Sequence, residues 1–380
     1  MNILIDFTQI PIQKVGIGIY ALNLINQLHR IDHVNKYFIV AQDDDSSLNF
    51  IKNSNFCVIK IKSKFFRKFI LRIFIEQLYI PFLTMRHTID AVHSLHYSFP
   101  LFMPVKKIVT IPDMTFYKLP NLHIFIKRHY FKYFIYLSSF CVDKIITISK
   151  SSRDDFLETF PFYKKEIEIT HLGKDEAFSS HLQKPEIDKI KSKYKIKDDY
   201  FLFVGTIEPR KNIGKLISAF NKFLKNQDNV QLVIIGKKGW HFDDVFDLVN
   251  QLSLQKEIIF TGFITEVEKM SLMRGAKIFI YPSLYEGFGI PVLEALACGI
   301  PTITSNISSM PEIAGDAAVL IDPYDEEELY HALKKLYCDT SMYLDLKQKS
   351  TDQAMKFSWD STARNTLRVY NSLQNNGQKL

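Results

Sequence analysis

The chain has 380 residues, 47% hydrophobic and 23% charged, with a formal charge of +7. That length exceeds one ordinary core and suits two domains, while the apolar content excludes a disordered or fibrous chain. Cys57, Cys141, Cys298 and Cys338 are scattered without a C-x-x-C pair, which argues against a disulfide framework or zinc site and fits a reducing, cytoplasmic location.

The first residues, Met1 to Asp6, read as a strand and lack the basic and apolar regions of a signal peptide. Short β-branched runs then recur every 20–35 residues or so, as β-α units around a parallel sheet require. In the first half they are Ile3–Asp6, Tyr37–Ala41, Phe56–Ile61, Ile89–His93, Ile108–Ile111, Lys144–Ile148 and Glu166–Thr170. In the second half they are Phe201–Val204, Gln231–Ile235, Glu257–Phe260, Lys277–Tyr281 and Pro301–Thr304. Two series predict two Rossmann-like α/β domains, residues 1–180 and 181–356. The connection falls in the polar stretch from Lys174 to Asp199.

After the first strand, the loop Gln13-Lys14-Val15-Gly16-Ile17-Gly18-Ile19-Tyr20 opens a helix with Ile19, Leu22, Ile25 and Leu28 on one face. Glycines such as Gly16 let backbone approach a ligand closely, although a plain strand-to-helix turn needs them too. The run from Lys60 to Arg72 holds six cations and no acid among aromatics, and the run from Lys127 to Lys132 has the same character. Residues 1–175 carry 23 Lys and Arg against 15 Asp and Glu, so the net positive charge lies in this half. Phe65, Phe66, Phe69, Ile70 and Ile73 beside cations suit an interfacial helix on an anionic membrane; an ordinary core-facing helix with a basic outer side fits as well. No recognition motif accompanies the charge, so no nucleic-acid partner is expected. The apolar window from Phe69 to Met85, broken by Arg72, Glu76, Gln77 and Pro81, falls short of a membrane span. Asp113 follows the strand in Ile108-Val109-Thr110-Ile111-Pro112-Asp113, where a carboxylate either caps the next turn or does chemistry.

In the second half, Phe203-Val204-Gly205-Thr206-Ile207-Glu208-Pro209-Arg210-Lys211-Asn212 leads from a strand into a helix beginning near Asn212. Two adjacent cations there can neutralise a leaving diphosphate. Lys211 is weighted above Arg210, because an arginine beside it can as easily face solvent. Thr261-Gly262-Phe263-Ile264-Thr265 is a turn whose Thr265 caps the next helix. Tyr285-Glu286-Gly287-Phe288-Gly289-Ile290-Pro291-Val292-Leu293-Glu294 places two carboxylates eight residues apart across a glycine-rich turn. Pro291 suits the first helical position and Gly299 the residue past the end, so Glu286 lies in the loop and Glu294 one turn into a short helix. The helix start attracts phosphate, and Glu294 can accept from a ribose diol. Segments 305–312 and 315–318 read as structural, and the tail from Phe357 begins a helix bearing Trp359, Ala363, Leu367 and Tyr370.

These motifs, in this order, resemble retaining glycosyltransferase family 4, which has the GT-B fold. The resemblance covers nearly the whole chain. It implies two Rossmann-like domains facing a central cleft, an acceptor-binding amino-terminal domain, a donor-binding carboxy-terminal domain, and a last helix (about 357–380) crossing back. It assigns Glu286 to the donor sugar and Glu294 to the nucleotide ribose. Arg210, Lys211, the backbone at Gly16 and the helix start at Ile290 go to the donor diphosphate, Gly205, Gly287, Phe288 and Gly289 to the donor site, and Phe263 to the border of the base. Where many members carry histidine, this chain has Pro112, so Asp113 acts alone or is structural. With no Asp-x-Asp motif, no metal or other cofactor is expected. The implied reaction moves a hexosyl group from a nucleoside diphosphate sugar, GDP-mannose favoured and UDP- and dTDP-sugars open, to a glycan or lipid-linked glycan. Similarity to mannosyltransferases of bacterial surface polysaccharide pathways supports that choice. The other readings are a GT-B nucleotide-sugar epimerase and a non-catalytic nucleotide- or glycan-binding relative.

Overall fold

A computed structural model describes residues 1–63, 69–179, 184–197, 199–225, 227 and 229–375. The chain divides into two compact units, Met1–Gly173 with Ser358–Leu380, and Lys174–Phe357.

The first unit is built on seven parallel strands: β1 (Asn2–Asp6), β2 (Lys36–Gln42), β3 (Phe56–Ile61), β4 (Ala91–Ser94), β5 (Lys106–Ile111), β6 (Lys144–Thr147) and β7 (Ile167–Ile169). Their spatial order is β3-β2-β1-β4-β5-β6-β7, so the winding direction reverses between β1 and β4. Ile3, Leu4, Ile5, Ile108, Val109, Ile145 and Ile146 are buried, as strands covered on both faces require. The helix Ile17–Ile31 buries Tyr20, Ala21, Leu24, Ile25 and Leu28. Ile19 and Leu22 are only half-buried; the predicted face is therefore rotated, because Tyr20 and Ala21 supply the contacts that an aliphatic count overlooks.

The helix Trp359–Asn375 packs against Ile17–Ile31 in this unit. Its Tyr370 hydroxyl lies 2.7 Å from His93 Nδ1, and His93 Nε2 lies 2.9 Å from the Thr110 hydroxyl. Burial pushes His93 down to about 3, so this link is between neutral groups. At Gly173 a Cβ would stand 2.1 Å from the Trp359 backbone nitrogen, so only glycine permits the contact. The buried face of the last helix runs through Trp359, Thr362, Ala363, Thr366, Val369 and Tyr370. Leu367 stands only half-buried beside it.

The second unit carries β8 (Asp199–Val204), β9 (Val230–Ile235), β10 (Ile258–Gly262), β11 (Ile278–Tyr281), β12 (Thr302–Ser305) and β13 (Ala318–Ile321). All pair in parallel, in the order β10-β9-β8-β11-β12-β13, and the reversal lies between β8 and β11. Five of these strands coincide with the predicted runs. The sixth, β13, was absent from the expectation: it is a four-residue edge strand whose first three residues are only half-buried, so it lacks a strong apolar signature.

Candidate active site

Each reversal opens a crevice at the carboxyl ends of the strands, the usual position for a ligand in a doubly wound sheet. In the second unit the residues following β8 and β11 meet there. Pro209–Lys211 forms a short 3-10 turn, and Asn212, in a left-handed conformation, starts the helix Ile213–Leu224. That turn carries Lys211 into the interior, where its ammonium donates to Glu286 Oε1 at 2.6 Å and to the Tyr281 hydroxyl. Arg210 donates to Glu286 Oε2 at 2.8 Å, to Glu208 Oε1 at 2.7 Å and to the Tyr285 carbonyl at 2.6 Å. Arg210 is thus pinned rather than turned to solvent. The reason is Glu208, two residues before it, which draws the guanidinium inward.

Burial alone would raise the Glu286 carboxyl, but the Arg210 and Lys211 cations outweigh it and hold the group at about 2. Burial, then Arg210, lower Lys211; Glu286 and Glu208 offset part of that. Burial and Glu286 raise Tyr281, which remains a neutral donor 3.1 Å from Glu286. The arrangement is a buried pair of cations held together by two carboxylates. Such a site can stabilise charge on a leaving group without reorganising.

The loop bearing Glu286 is fastened from below. Ser308 Oγ accepts the Glu286 N–H at 2.9 Å and donates to the Glu286 carbonyl at 2.6 Å, while Ser309 Oγ donates to the Phe288 carbonyl at 2.8 Å. Sequence reasoning missed both serines as well as Tyr281, since only the fold brings β12's loop under the turn; Glu208 was visible in the same string as Arg210. Gly289 has φ +104°, and a Cβ there would lie 2.3 Å from Met310 Cε, so the turn demands glycine. The helix runs Ile290–Ala297, making Ile290 its first residue and Pro291 its second, one place later than expected. Gly299, with φ +69°, ends it as predicted.

Glu294 is buried on that helix, apart from the Glu286 cluster. Its Oε1 accepts from Lys269 Nζ at 2.9 Å, a partner with no sequence signal. Burial raises the Glu294 carboxyl despite Lys269. Phe263 is exposed in the turn after β10, and Thr265 caps the following helix in a reciprocal box with Glu268. Phe288 is buried against Phe357. Gly205 lies beside Lys211, where a Cβ would be 3.7 Å from Lys211 Cε.

Gly16 and Asp113 belong to the other unit. Gly16 starts the helix Ile17–Ile31 at φ +52°, with open space around it. Asp113 Oδ1 accepts from the Tyr97 hydroxyl at 2.6 Å and from the Thr115 N–H at 2.8 Å. Of the two readings left open, the turn-capping one matches this geometry.

Fold and site together define a GT-B glycosyltransferase. Residues 15–178 match Glycosyltransferase Family 4, and residues 185–353 match Glycosyl transferases group 1. O-antigen chain mannosyltransferase B of Escherichia coli is 30% identical over 273 residues, covering 70% of this chain and 71% of that protein. Serotype-specific mannosyltransferase WbdA of Escherichia coli is 32% identical over 241 residues, which is 62% of this chain and 30% of WbdA. Sucrose-phosphate synthase from Thermosynechococcus elongatus shares the fold, with a TM-score of 0.77 and 17% identity over 99% of both chains. The chain belongs to glycosyltransferase family 4.

Proposed function

We propose that the chain transfers a hexosyl group, with retention and without a metal ion, from a nucleoside diphosphate sugar to a glycan or lipid-linked glycan of a surface polysaccharide. GDP-mannose is the favoured donor, since mannosyltransferases stand among the relatives. The observation that carries this reading is the buried Arg210–Lys211–Glu286 group at the β8/β11 reversal. In the reaction the bond from sugar C1 to the diphosphate oxygen breaks. The bond from C1 to the acceptor oxygen forms on the same face, and the acceptor proton passes to the leaving phosphate. Arg210 and Lys211 take up the developing charge, and Glu286 accepts from a donor hydroxyl.

Calorimetric titration of GDP, UDP and dTDP in EDTA tests this. One nucleotide should bind preferentially, and Glu294→Ala should weaken it roughly 10- to 100-fold, the worth of hydrogen bonds to a charged group. No binding by any of the three removes the donor site. Release of nucleoside diphosphate only when acceptor is present separates transfer from epimerisation and from mere binding.

An anionic membrane surface is the proposed partner of the first unit. From Ile70 to Met85 a continuous helical run exposes Ile70, Phe74, Leu78, Phe82 and Met85 at intervals of four and three residues, and Arg86 follows. The helix Phe125–Cys141 likewise exposes Tyr133, Tyr136 and Phe140, and Lys127 in its first turn. Much of the basic run from Lys60 to Arg72, namely residues 64–68, lies outside the described residues. Ile73 is half-buried, so the outer stripe is offset from the one expected. No helix among the described residues is long and apolar enough to cross a membrane. Phosphatidylglycerol vesicles should retain the chain. Leu78→Glu with Phe82→Glu should cut partitioning at least about tenfold, given ~1.5–3 kcal/mol per apolar side chain; unchanged partitioning would exclude this surface.

A further inference from the structure

The acid at Glu294 has a partner that is itself largely buried. Lys269 lies near the start of the helix Glu266–Gly275, which Thr265 and Glu268 cap reciprocally. Its Nζ donates to Glu294 Oε1 at 2.9 Å and lies 2.8 Å from Glu266 Oε2. The ring of Phe178 covers another side, with its centre 5.0 Å from Nζ. The Lys269 side chain is 11% exposed and that of Glu294 7%, whereas Glu266 is 71% exposed. A buried ammonium needs a charged partner, and a solvated acid supplies little. Glu294 is therefore its principal one. Glu294 Oε2 accepts from none of the described residues and is not fully enclosed, so it is the oxygen left for a ligand.

The surroundings decide what this pair can do. Arg274 Nη2 donates to the Phe178 carbonyl at 2.8 Å, so the turn Glu176–Ser179 that carries Phe178 is fastened to the helix that carries Lys269. Besides Lys269, the titratable groups around Glu294 are Glu266 and Asp175, which oppose its ionisation, and the Cys298 thiol. Burial pushes that thiol up to about 12 and keeps it neutral. Burial lowers Lys269, but Glu294 and Glu266 outweigh it, and the ammonium stays charged. Lys269 is thus the group that favours an ionised Glu294 against burial. An ionised carboxylate only accepts, whereas a protonated one turns an oxygen into a donor. With Oε1 taken by the ammonium, the direction in which Oε2 accepts is fixed as well.

We propose that Lys269 is the positioning residue that makes the site select ribonucleoside diphosphates over their 2′-deoxy counterparts, by aiming Glu294 Oε2 at the ribose hydroxyls. This rests on the reading of Glu294 as the acid that takes the donor ribose, and narrows the donor class. An ion pair that only tied two helices together would affect both nucleotides alike. Calorimetry on the full chain, with GDP, UDP and their 2′-deoxy forms as probes, tests it. The readout is the ratio of deoxy to ribo Kd, because titration of the diphosphate cancels in it. The wild type should prefer the ribonucleotide at least about tenfold, the worth of a hydrogen bond to a charged group, and hold that ratio from pH 7 to pH 9. Lys269→Met should bring the ratio close to one at pH 7 and regain part of it toward pH 9, where the buried carboxyl ionises unaided. Lys269→Gln, which keeps a donor beside Glu294 but no charge, should do the same. An unchanged ratio in the variants, or an equal loss of both nucleotides, overturns the proposal. So does a wild type that binds nucleotide without a ribose preference, or whose ratio falls between pH 9 and pH 7, even if neither variant folds. Absence of nucleotide binding by the wild type would overturn the donor reading instead.

Discussion

Lys211→Met lowers the turnover number by roughly 100- to 1000-fold, the usual cost of removing one preorganised group that stabilises developing charge. The methionine fills much of the same volume between Tyr281 and Glu286, so the effect isolates the ammonium. Glu286 and Glu208 are then left to share Arg210, and the Glu286 carboxyl rises from about 2 because one of its two cations is gone. Breaking a buried pair in this way costs on the order of 3 kcal/mol of stability, so thermal unfolding accompanies the kinetics. Lys211→Arg does not restore activity: a planar fork cannot replace a point charge that meets a carboxylate and a phenol at once. Initial rates with the nucleotide sugar chosen by calorimetry are the measurement. A folded Lys211→Met protein with wild-type turnover would remove the lysine from the chemistry.

Glu76→Gln removes a pH dependence of stability that the wild type carries between pH 4.5 and about 7. The Glu76 carboxyl is raised in the folded chain from its ordinary 4.5 to about 7, by burial and then by Asp6, against the pull of Ser98, Arg72 and Gln77. Tyr130, the other titratable group facing it, is itself raised by burial and then by Glu76, and stays neutral. The folded state thus holds a proton that the unfolded state has released. The stability this supplies is fully present below pH 4.5 and lost as pH rises through about 7, a change of ~3 kcal/mol. The two tryptophans are Trp240 and Trp359, and Trp359 is buried in the first unit. In a Trp240→Phe background, urea unfolding followed by Trp359 fluorescence at pH 5 and pH 8 reads that unit directly. The wild type should weaken at pH 8 relative to Glu76→Gln; parallel behaviour of the two would place the carboxyl in contact with water.

Much of this molecule was legible in advance because its signals are local. Parallel strands covered on both faces need continuous apolar runs, so twelve of the thirteen strands among the described residues announce themselves; β13, short and half-exposed at the sheet edge, does not. Backbone demands are equally local: Gly289 and Gly299 carry positive φ, Thr265 caps its helix with its side chain, and the helix expected near Asn212 begins at Ile213. The motifs containing Arg210, Lys211, Glu286 and Glu294 take their donor roles from the resemblance to family 4, and each follows a strand end, where a doubly wound sheet presents ligands.

What sequence could not supply are contacts between residues far apart in the chain. Lys211 and Glu286 are 75 positions apart, and only the pairing of β8 with β11 joins them. Lys269 reaches Glu294 from a neighbouring helix, Ser308 and Ser309 fasten the Glu286 loop from beyond β12, and Tyr370 closes on His93 across 277 positions. Glu76 shows the limit most clearly. In sequence it merely interrupts an apolar window; in the fold it faces inward while Phe74, Leu78 and Phe82 face out. Local propensity and periodicity determined the elements and the types of residue at their ends. Sheet order decided which of those ends meet, because hydrogen bonds and charge pairs depend on distance in space and not along the chain.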